Sequence, residues 1–175
     1  LTAFSTASSN ATLPTSLAQG LMGYSFTCPD MVGGGELGAV PETIDQELYV
    51  RWAQSATLFP IIQYSMLPDR VLDADHLPLC LDMVRLREQM GPEIVRLARH
   101  AAQTGEPILR HMAYVFPDAG METVNDQFML GDRLLVAPVL QKGQTRRVIQ
   151  FPPGRWRGDD GDLVQGACVK EVDAP

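Results

Sequence analysis

The sequence has few cysteines, and their placement narrows the classes of protein to which it can belong. Its three cysteines, Cys28, Cys80 and Cys168, lie far apart and lack the Cys-x-x-Cys or His-flanked spacing of a zinc site. We therefore expect neither a disulfide scaffold nor a structural zinc, and no metal or cofactor. The odd number of cysteines leaves the redox compartment open.

Positive charge and long apolar runs are also scarce. Against 21 Asp and Glu there are 14 Lys and Arg, which gives a net charge of −7 and no basic stripe. Nucleic acid is thus excluded as a partner, because binding to phosphates needs clustered cations. The longest apolar stretches, residues 58–67 and 128–140, fall short of the roughly 20 residues that span a bilayer, so no membrane segment is expected.

What the sequence does contain favours a packed core. Its 45% apolar content and mean hydropathy of −0.04 are typical of folded proteins. The 175 residues suffice for one domain or for two incomplete ones. Asn10-Ala11-Thr12 fits the glycosylation pattern and permits a secretory or extracellular route, but the compartment stays undetermined.

Apolar periodicity predicts three helical regions. The first starts at an N-cap, Thr12, and carries leucines at four-residue spacing up to Gly23. The second follows a capping box formed by Thr43 and Gln46. Its buried stripe is expected to be Leu48, Trp52, Ala56 and Phe59. The third covers residues 77–103, with an interruption at Gly91-Pro92 and a stop at Gly105.

Strand patterns divide the chain in two. Residues 24–32 and 108–116 are predicted strands, and their alternation with helices favours an α/β layer with parallel strands. After residue 117, the runs 134–140, 145–151 and 167–172 are separated by Gly and Pro, which predicts an antiparallel β module.

Two features near residue 30 could bind a ligand. Gly33 to Gly38 matches G-x-G-x-x-G, but Pro41 falls where a nucleotide-binding helix should run, so a flexible loop is the preferred interpretation. Asp30 ends a predicted strand just before the glycines, where binding groups gather in parallel α/β folds. The alternative role for Asp30 is that of a turn former.

Several segments together resemble glycoside hydrolase family 31 in order and spacing, over residues 12–166. They are GYSF at 23–26, PDMVGG at 29–34, ELYVRW at 47–52, GEPILR at 105–110, DQFMLGDRLLVAPVL at 126–140 and GRW at 154–156.

The resemblance implies an α/β fold. Residues 1–116 would be the C-terminal part of a (β/α)₈ TIM barrel, with its seventh strand at 24–30 and its eighth at 108–116. Residues 117–175 would begin an all-β, sandwich-like domain. The family's two catalytic carboxylates come from earlier strands, so we expect a fragment that is inactive alone and that associates into homo-oligomers through its exposed edges.

The resemblance also implies a retaining α-glycosidase acting on an α-linked sugar or glycoconjugate. Asp30, Gln63 and Ser65 would bind the sugar. Ser65 stands where the family's starch-degrading α-glucosidases carry a sugar-binding His, which favours a branch associated with α-galactosides. A non-catalytic carbohydrate-binding or regulatory relative is the alternative, and an independent nucleotide-binding domain is the third hypothesis.

Three weaker candidates receive structural interpretations. His76 with Asp73 and Asp75 could hold a metal, but acidic residues are expected at a helix N-terminus. His111 is predicted to be a hydrogen-bonded structural residue. Asp132 is predicted to serve in a turn or in packing.

Overall fold

The computed structural model describes residues 6–34 and 44–174, with side chains from residue 12 onward. It is a mixed fold of helices followed by short strands. The helices are α1 (Thr6–Leu21), α2 (Gln46–Ala56), α3 (Pro68–Val71), α4 (Leu77–Thr104) and α5 (Met112–Val115). The strands are β1 (Leu109–Arg110), β2 (Phe128–Leu130), β3 (Leu134–Val136), β4 (Arg146–Phe151), β5 (Arg155–Arg157), β6 (Leu163–Gln165) and β7 (Cys168–Asp173).

Helix α1 begins before the predicted cap at Thr12 and buries two of its three spaced leucines. Leu13 and Leu17 join a core that also contains residues of α4, β1 and β2, whereas Leu21 is exposed. Phe128 of β2 lies in this core and meets Phe59 edge to face, with 6.0 Å between ring centroids. One core therefore joins the helices to the strands.

Helix α2 has a different cap from the predicted one. Asp45 is the N-cap, and its Oδ1 accepts the Leu48 N–H at 3.1 Å. Gln46 does not complete a capping box, because its side-chain oxygen accepts the Asp73 N–H; Thr43 lies outside the described residues. The predicted stripe is confirmed, since all four residues are buried: Leu48, Trp52, Ala56 and Phe59.

Helix α4 runs without a break through Gly91 and Pro92, so the predicted interruption is wrong. A proline removes one backbone hydrogen bond, but core contacts on both sides of it keep the helix intact. Those contacts come from Cys80, Ile94, Leu97 and Ala101. The stop at Gly105 is confirmed: its φ is 79°, and its N–H reaches the Ala101 carbonyl at 2.8 Å.

The two predicted parallel strands are much reduced. Residues 24–32 alternate between exposed and buried side chains, but their pairing with other extended residues is limited to an isolated parallel bridge, Val32 to Tyr64, and one long bond from the Ile108 N–H to the Ser25 carbonyl. In place of a strand over 108–116, β1 has two residues and α5 follows it. Because β1 pairs antiparallel with β2, these residues make no parallel layer, and a barrel is not evident in them.

The β-rich part follows the prediction more closely. Strands β1, β2 and β3 form one sheet, and β4–β7 and β5–β6 form two ribbons. Each of these strand pairs is antiparallel, as expected for the runs separated by glycine and proline. The first sheet contains residues from both sides of position 117.

Among residues 6–34 and 44–174, the structure contains no helix with the length and apolar character needed to cross a bilayer.

Candidate functional site

Asp30 lies near the end of the extended segment 24–32 with its side chain exposed. Its Oδ1 accepts the N–H of the next residue, Met31, at 2.8 Å. Burial raises the pKa of the nearby Cys28 thiol, and the negative charge of Asp30 raises it further. The second carboxylate oxygen has no recorded partner within the described residues.

Gln63 and Ser65 are held beside the end of this segment by backbone bonds to Val32. The Val32 N–H donates to the Gln63 carbonyl at 2.9 Å, and the Ser65 N–H donates to the Val32 carbonyl at 3.0 Å. The Ser65 hydroxyl donates to that same carbonyl at 3.2 Å. Both side chains are exposed, and Val32 is two residues from Asp30. The fold thus brings the three predicted sugar-binding residues to one end of the segment.

Gly33 makes this close approach possible. Its φ is 99°, and a Cβ there would lie only 2.8 Å from the Ser65 Oγ. Any other residue would combine a strained backbone with a clash against the serine. The sequence predicted a flexible glycine loop over this motif; Gly33 itself is buried, and residues 35–38 lie outside the described residues.

Helix α2 forms the wall behind Gly33. Ile44, Leu48 and Trp52 line a small apolar recess with Gly33. The Trp52 indole is buried, and its Nε1 has no hydrogen-bond partner among the described residues. Nearby, the Tyr49 hydroxyl donates to the Met66 carbonyl, and burial strongly raises the pKa of Tyr49. A neutral phenol that anchors residue 66 helps to fix the Gln63–Ser65 segment.

Contacts between α2 and the β-rich part were not anticipated from the sequence. The side chains of Asp45, Glu47 and Arg51 meet the turn at residues 142–144. Partners separated by more than 90 positions leave no local pattern, so no signal in the sequence could have paired them.

The weaker candidates keep structural roles. His76 Nδ1 lies 2.8 Å from Asp73 Oδ1, and no group of three metal-ligating side chains is found in the described ranges. His111 Nδ1 accepts the Ala113 N–H at 3.1 Å and so caps α5. Asp132 accepts a hydrogen bond from the buried Arg110, which fits the predicted role in a turn.

The candidate site offers one carboxylate, one amide and one hydroxyl. Such groups accept and donate hydrogen bonds to sugar hydroxyls. They do not provide the two facing carboxyl groups that glycoside hydrolysis ordinarily uses. This end of the segment therefore presents hydrogen-bonding groups of the kind that hold polar ligands.

Residues 105–174 match the sequence model of the glycosyl hydrolase family 31 C-terminal domain. This match assigns residues 105–174 to the C-terminal domain of glycoside hydrolase family 31. Over 174 residues it is 35% identical to the myogenesis-regulating glycosidase of Mus musculus, covering 93% of this chain and 24% of that protein. The chain thus spans about a quarter of the length of this relative.

Solved structures of family 31 enzymes share the fold. A dextranase of Flavobacterium johnsoniae in complex with isomaltotriose superposes with a TM-score of 0.83 at 26% identity, covering 96% of this chain and 21% of that chain. A cycloalternan-degrading enzyme of Trueperella pyogenes in complex with a covalent intermediate has a TM-score of 0.69 at 30% identity, covering 81% and 21%. The relatives are glycosidases, so the chain is related to hydrolases of carbohydrate metabolism.

Proposed function

We propose that the protein to which this chain belongs hydrolyses O-glycosidic bonds as a retaining α-glycosidase, with an α-galactoside as its substrate. In this proposal residues 1–116 belong to the last part of a (β/α)₈ barrel and residues 117–175 begin the β-domain. The observation that carries the proposal is the backbone bonding of Gln63 and Ser65 to Val32, two residues after Asp30.

The proposed chemistry needs two carboxyl groups about 5 to 5.5 Å apart. One attacks the anomeric carbon while the other protonates the leaving oxygen; water then attacks the glycosyl-enzyme and gives its proton to the second group. The covalent intermediate of the Trueperella pyogenes relative supports this route. We assign the pair to residues outside these 175, and we assign Asp30, Gln63 and Ser65 to sugar binding.

The choice of an α-galactoside rests on Ser65. The family resemblance implies an imidazole at this position in starch-degrading α-glucosidases. A serine hydroxyl is smaller and lies against the Val32 carbonyl at 3.2 Å, so the wall of the pocket differs in size and in hydrogen bonding. Loss of the imidazole would remove a contact that favours glucose.

Kinetics of the full-length protein on aryl α-galactosides and aryl α-glucosides test the proposal. We expect faster turnover of the galactoside, and no turnover by the 175-residue chain alone. Asp30→Asn should lower kcat/KM by about 10- to 100-fold, since a charge-assisted hydrogen bond contributes roughly 1.5–3 kcal/mol. Asp159→Asn, in the exposed loop after β5, is the matched control.

Three outcomes would contradict parts of the proposal. Sugar binding without turnover by the full-length protein would favour the non-catalytic carbohydrate-binding relative. Turnover by the 175-residue chain, abolished by substituting one of its own carboxylates, would place the catalytic pair inside it. A folded Asp30→Asn variant with unchanged kcat/KM would make Asp30 a turn residue.

Self-association of the 175-residue chain is a further part of the proposal. Four large apolar side chains at the end of α1 and the start of the extended segment are 50–68% exposed. They are Leu21, Met22, Tyr24 and Phe26. Exposed apolar surface of this kind favours association. Light scattering should detect oligomers, and a Met22→Ser, Phe26→Ser double variant should shift them toward the monomer.

A further inference from the structure

The N-terminal end of α2 is held by a turn that lies almost a hundred residues further along the chain. Lys142 Nζ lies 2.5 Å from Asp45 Oδ2. The next residue, Gly143, donates its N–H to Glu47 Oε1 at 2.6 Å. Residues 142–144, called the 142–144 turn below, therefore offer a cation and an N–H to two carboxylates at the start of the helix.

A third contact has the opposite polarity. Arg51 donates from Nη2 to the Gln144 carbonyl at 3.1 Å. Three consecutive residues of the turn thus meet three side chains spread over the first turns of α2. The ion pair and the two hydrogen bonds together fix the position of the helix end and its rotation about the helix axis.

This end of α2 borders the candidate sugar site. Gly33 shares the apolar recess with Asp45, Leu48 and Trp52. Val32 is fully buried against the same face of the helix. A displacement of the start of α2 would therefore also move Val32 and Gly33, which are called the Val32–Gly33 corner below.

The corner in turn sets the position of Ser65. The Ser65 hydroxyl and N–H both donate to the Val32 carbonyl, at 3.2 and 3.0 Å. Space for the hydroxyl exists only because Gly33 has no Cβ. A continuous set of contacts thus runs from Lys142 through Asp45 and α2 to Val32 and Ser65.

We propose that Lys142 is a positioning residue for the candidate sugar site, acting through Asp45 and α2 on the Val32–Gly33 corner and on Ser65. The inference rests on the proposed function in that the ligand at the site is taken to be an α-galactoside. Lys142 itself touches neither the sugar nor the reacting atoms. Its role is to hold α2 in place, since α2 packs against Val32 and Gly33 beside the binding residues.

Because the Lys142–Asp45 pair is partly exposed, its loss should change the position of α2 more than the free energy of unfolding of the whole protein. The Lys142 and Asp45 side chains are 49% and 33% exposed, and ion pairs of this kind add little to the free energy of unfolding. Asp45 also caps α2 through its other oxygen, Oδ1. Replacing the lysine therefore removes one of the three contacts between α2 and the turn, and it leaves the helix cap in place.

The test compares Lys142→Met with Lys170→Met in the full-length protein. Lys170 is the only other lysine of the chain; it lies on β7, 3.9 Å from Asp162. For Lys142→Met we expect KM for an aryl α-galactoside to rise about 3- to 10-fold with a smaller change in kcat, in the range that weakening one polar contact produces. Lys142→Arg should restore most of the loss, and Lys170→Met should match the wild type.

Hydrogen exchange provides the readout that does not depend on activity. Lys142→Met should speed amide exchange at Ser65 and in the first turns of α2, while β7 exchanges as in the wild type. Unchanged exchange at Ser65 would overturn the proposal, as would faster exchange with unchanged KM. If the wild type neither binds nor cleaves the galactoside, the proposed function fails, and exchange at Ser65 still decides whether Lys142 positions that residue.

Discussion

The helical region, residues 6–104, and the β-rich region, residues 105–174, bury different kinds of polar side chain. In the described helical residues the buried polar side chains are small hydroxyls: Ser16, Ser25, Thr27 and Thr57. In the β-rich region they are long and carry several donors: Arg110, Gln127 and Arg147. The arginines of α4 that pair with acidic residues, Arg85 and Arg96, do so at the surface.

The difference follows from how each region satisfies its backbone. A helix completes most of its own hydrogen bonds, so its buried face can be apolar. Strands of two to six residues leave carbonyl and N–H groups that no neighbouring strand pairs. Gln127 fills such a gap: its amide donates to the Gln150 carbonyl at 2.8 Å and accepts the Gln150 N–H at 3.0 Å. Buried polar side chains thus complete the short strands.

The largest expected effect on stability comes from a substitution in the hydrophobic core that the helical and β-rich regions share. Phe128→Ala removes a fully buried ring from the core that contains both α1 and β2. We expect a loss of about 3–5 kcal/mol in the free energy of unfolding, from the lost burial and the cavity left behind. Urea denaturation measures it. Leu163→Ala, at a 73% exposed position of β6, is the control and should change little.

A loss confined to the signal of one region would contradict the shared core. The Phe59–Phe128 contact predicts that the fluorescence of Trp52, in α2, and of Trp156, on β5, reports one transition. Separate transitions in single-tryptophan variants would show that the regions unfold independently.

The next effect tests the buried polar side chains of the β-rich region. Arg147 donates to the carbonyls of Pro138, Val148 and Asp126 at 3.1, 2.6 and 2.8 Å. Arg147→Met should cost about 2–3 kcal/mol, because three backbone carbonyls lose the charged donor that a buried guanidinium supplies. The control is Arg146→Met on the same strand, whose pairs with acidic residues are exposed; it should cost less than about 1 kcal/mol. If Arg147→Met and Arg146→Met lost equal free energies of unfolding, buried polar side chains would not have the special role in the β-rich region that is described above.

Sequence periodicity predicted the elements whose pattern is local. The buried stripe of α2 repeats with helical spacing, and the strands at 146–151 and 168–173 match the predicted β-rich runs 145–151 and 167–172 to within one residue at each end. Segments fixed by distant partners were predicted less well. Residues 108–116 have the composition of a strand, but His111 caps a helical turn after two strand residues.

The sequence was enough to propose the binding residues of the candidate site, but not the contacts that hold those residues in place. Asp30, Gln63 and Ser65 came from the family resemblance, and their role in sugar binding stays a prediction. The close approach of Gly33 to Ser65 depends on two segments that meet only after folding. The contact of Lys142 with Asp45 joins residues 97 positions apart, and nothing in either local sequence indicates it.

The smallest expected effect lies at the junction of the two regions, where His111 follows β1. Its Nδ1 accepts the Ala113 N–H, a bond that requires an unprotonated Nδ1. Burial lowers the pKa of His111 below 6.5, and the nearby charge of Glu122 offsets this only in part. The unfolded chain therefore binds a proton at a higher pH than the folded protein does.

The sign of the pH dependence follows from this difference. The contribution of His111 to stability is complete above pH 6.5, and it declines as the pH falls from there toward the lower pKa of the folded state. One such group changes the free energy of unfolding by at most about 1.4 kcal/mol per pH unit, and partial exposure makes the change smaller. His111→Asn keeps an acceptor at the cap but cannot titrate, so its stability should fall less than that of the wild type between about pH 7 and 5. Urea midpoints across this range measure the difference, with the exposed His100→Asn on α4 as control. Parallel curves for wild type and His111→Asn would show that this histidine does not couple folding to protonation.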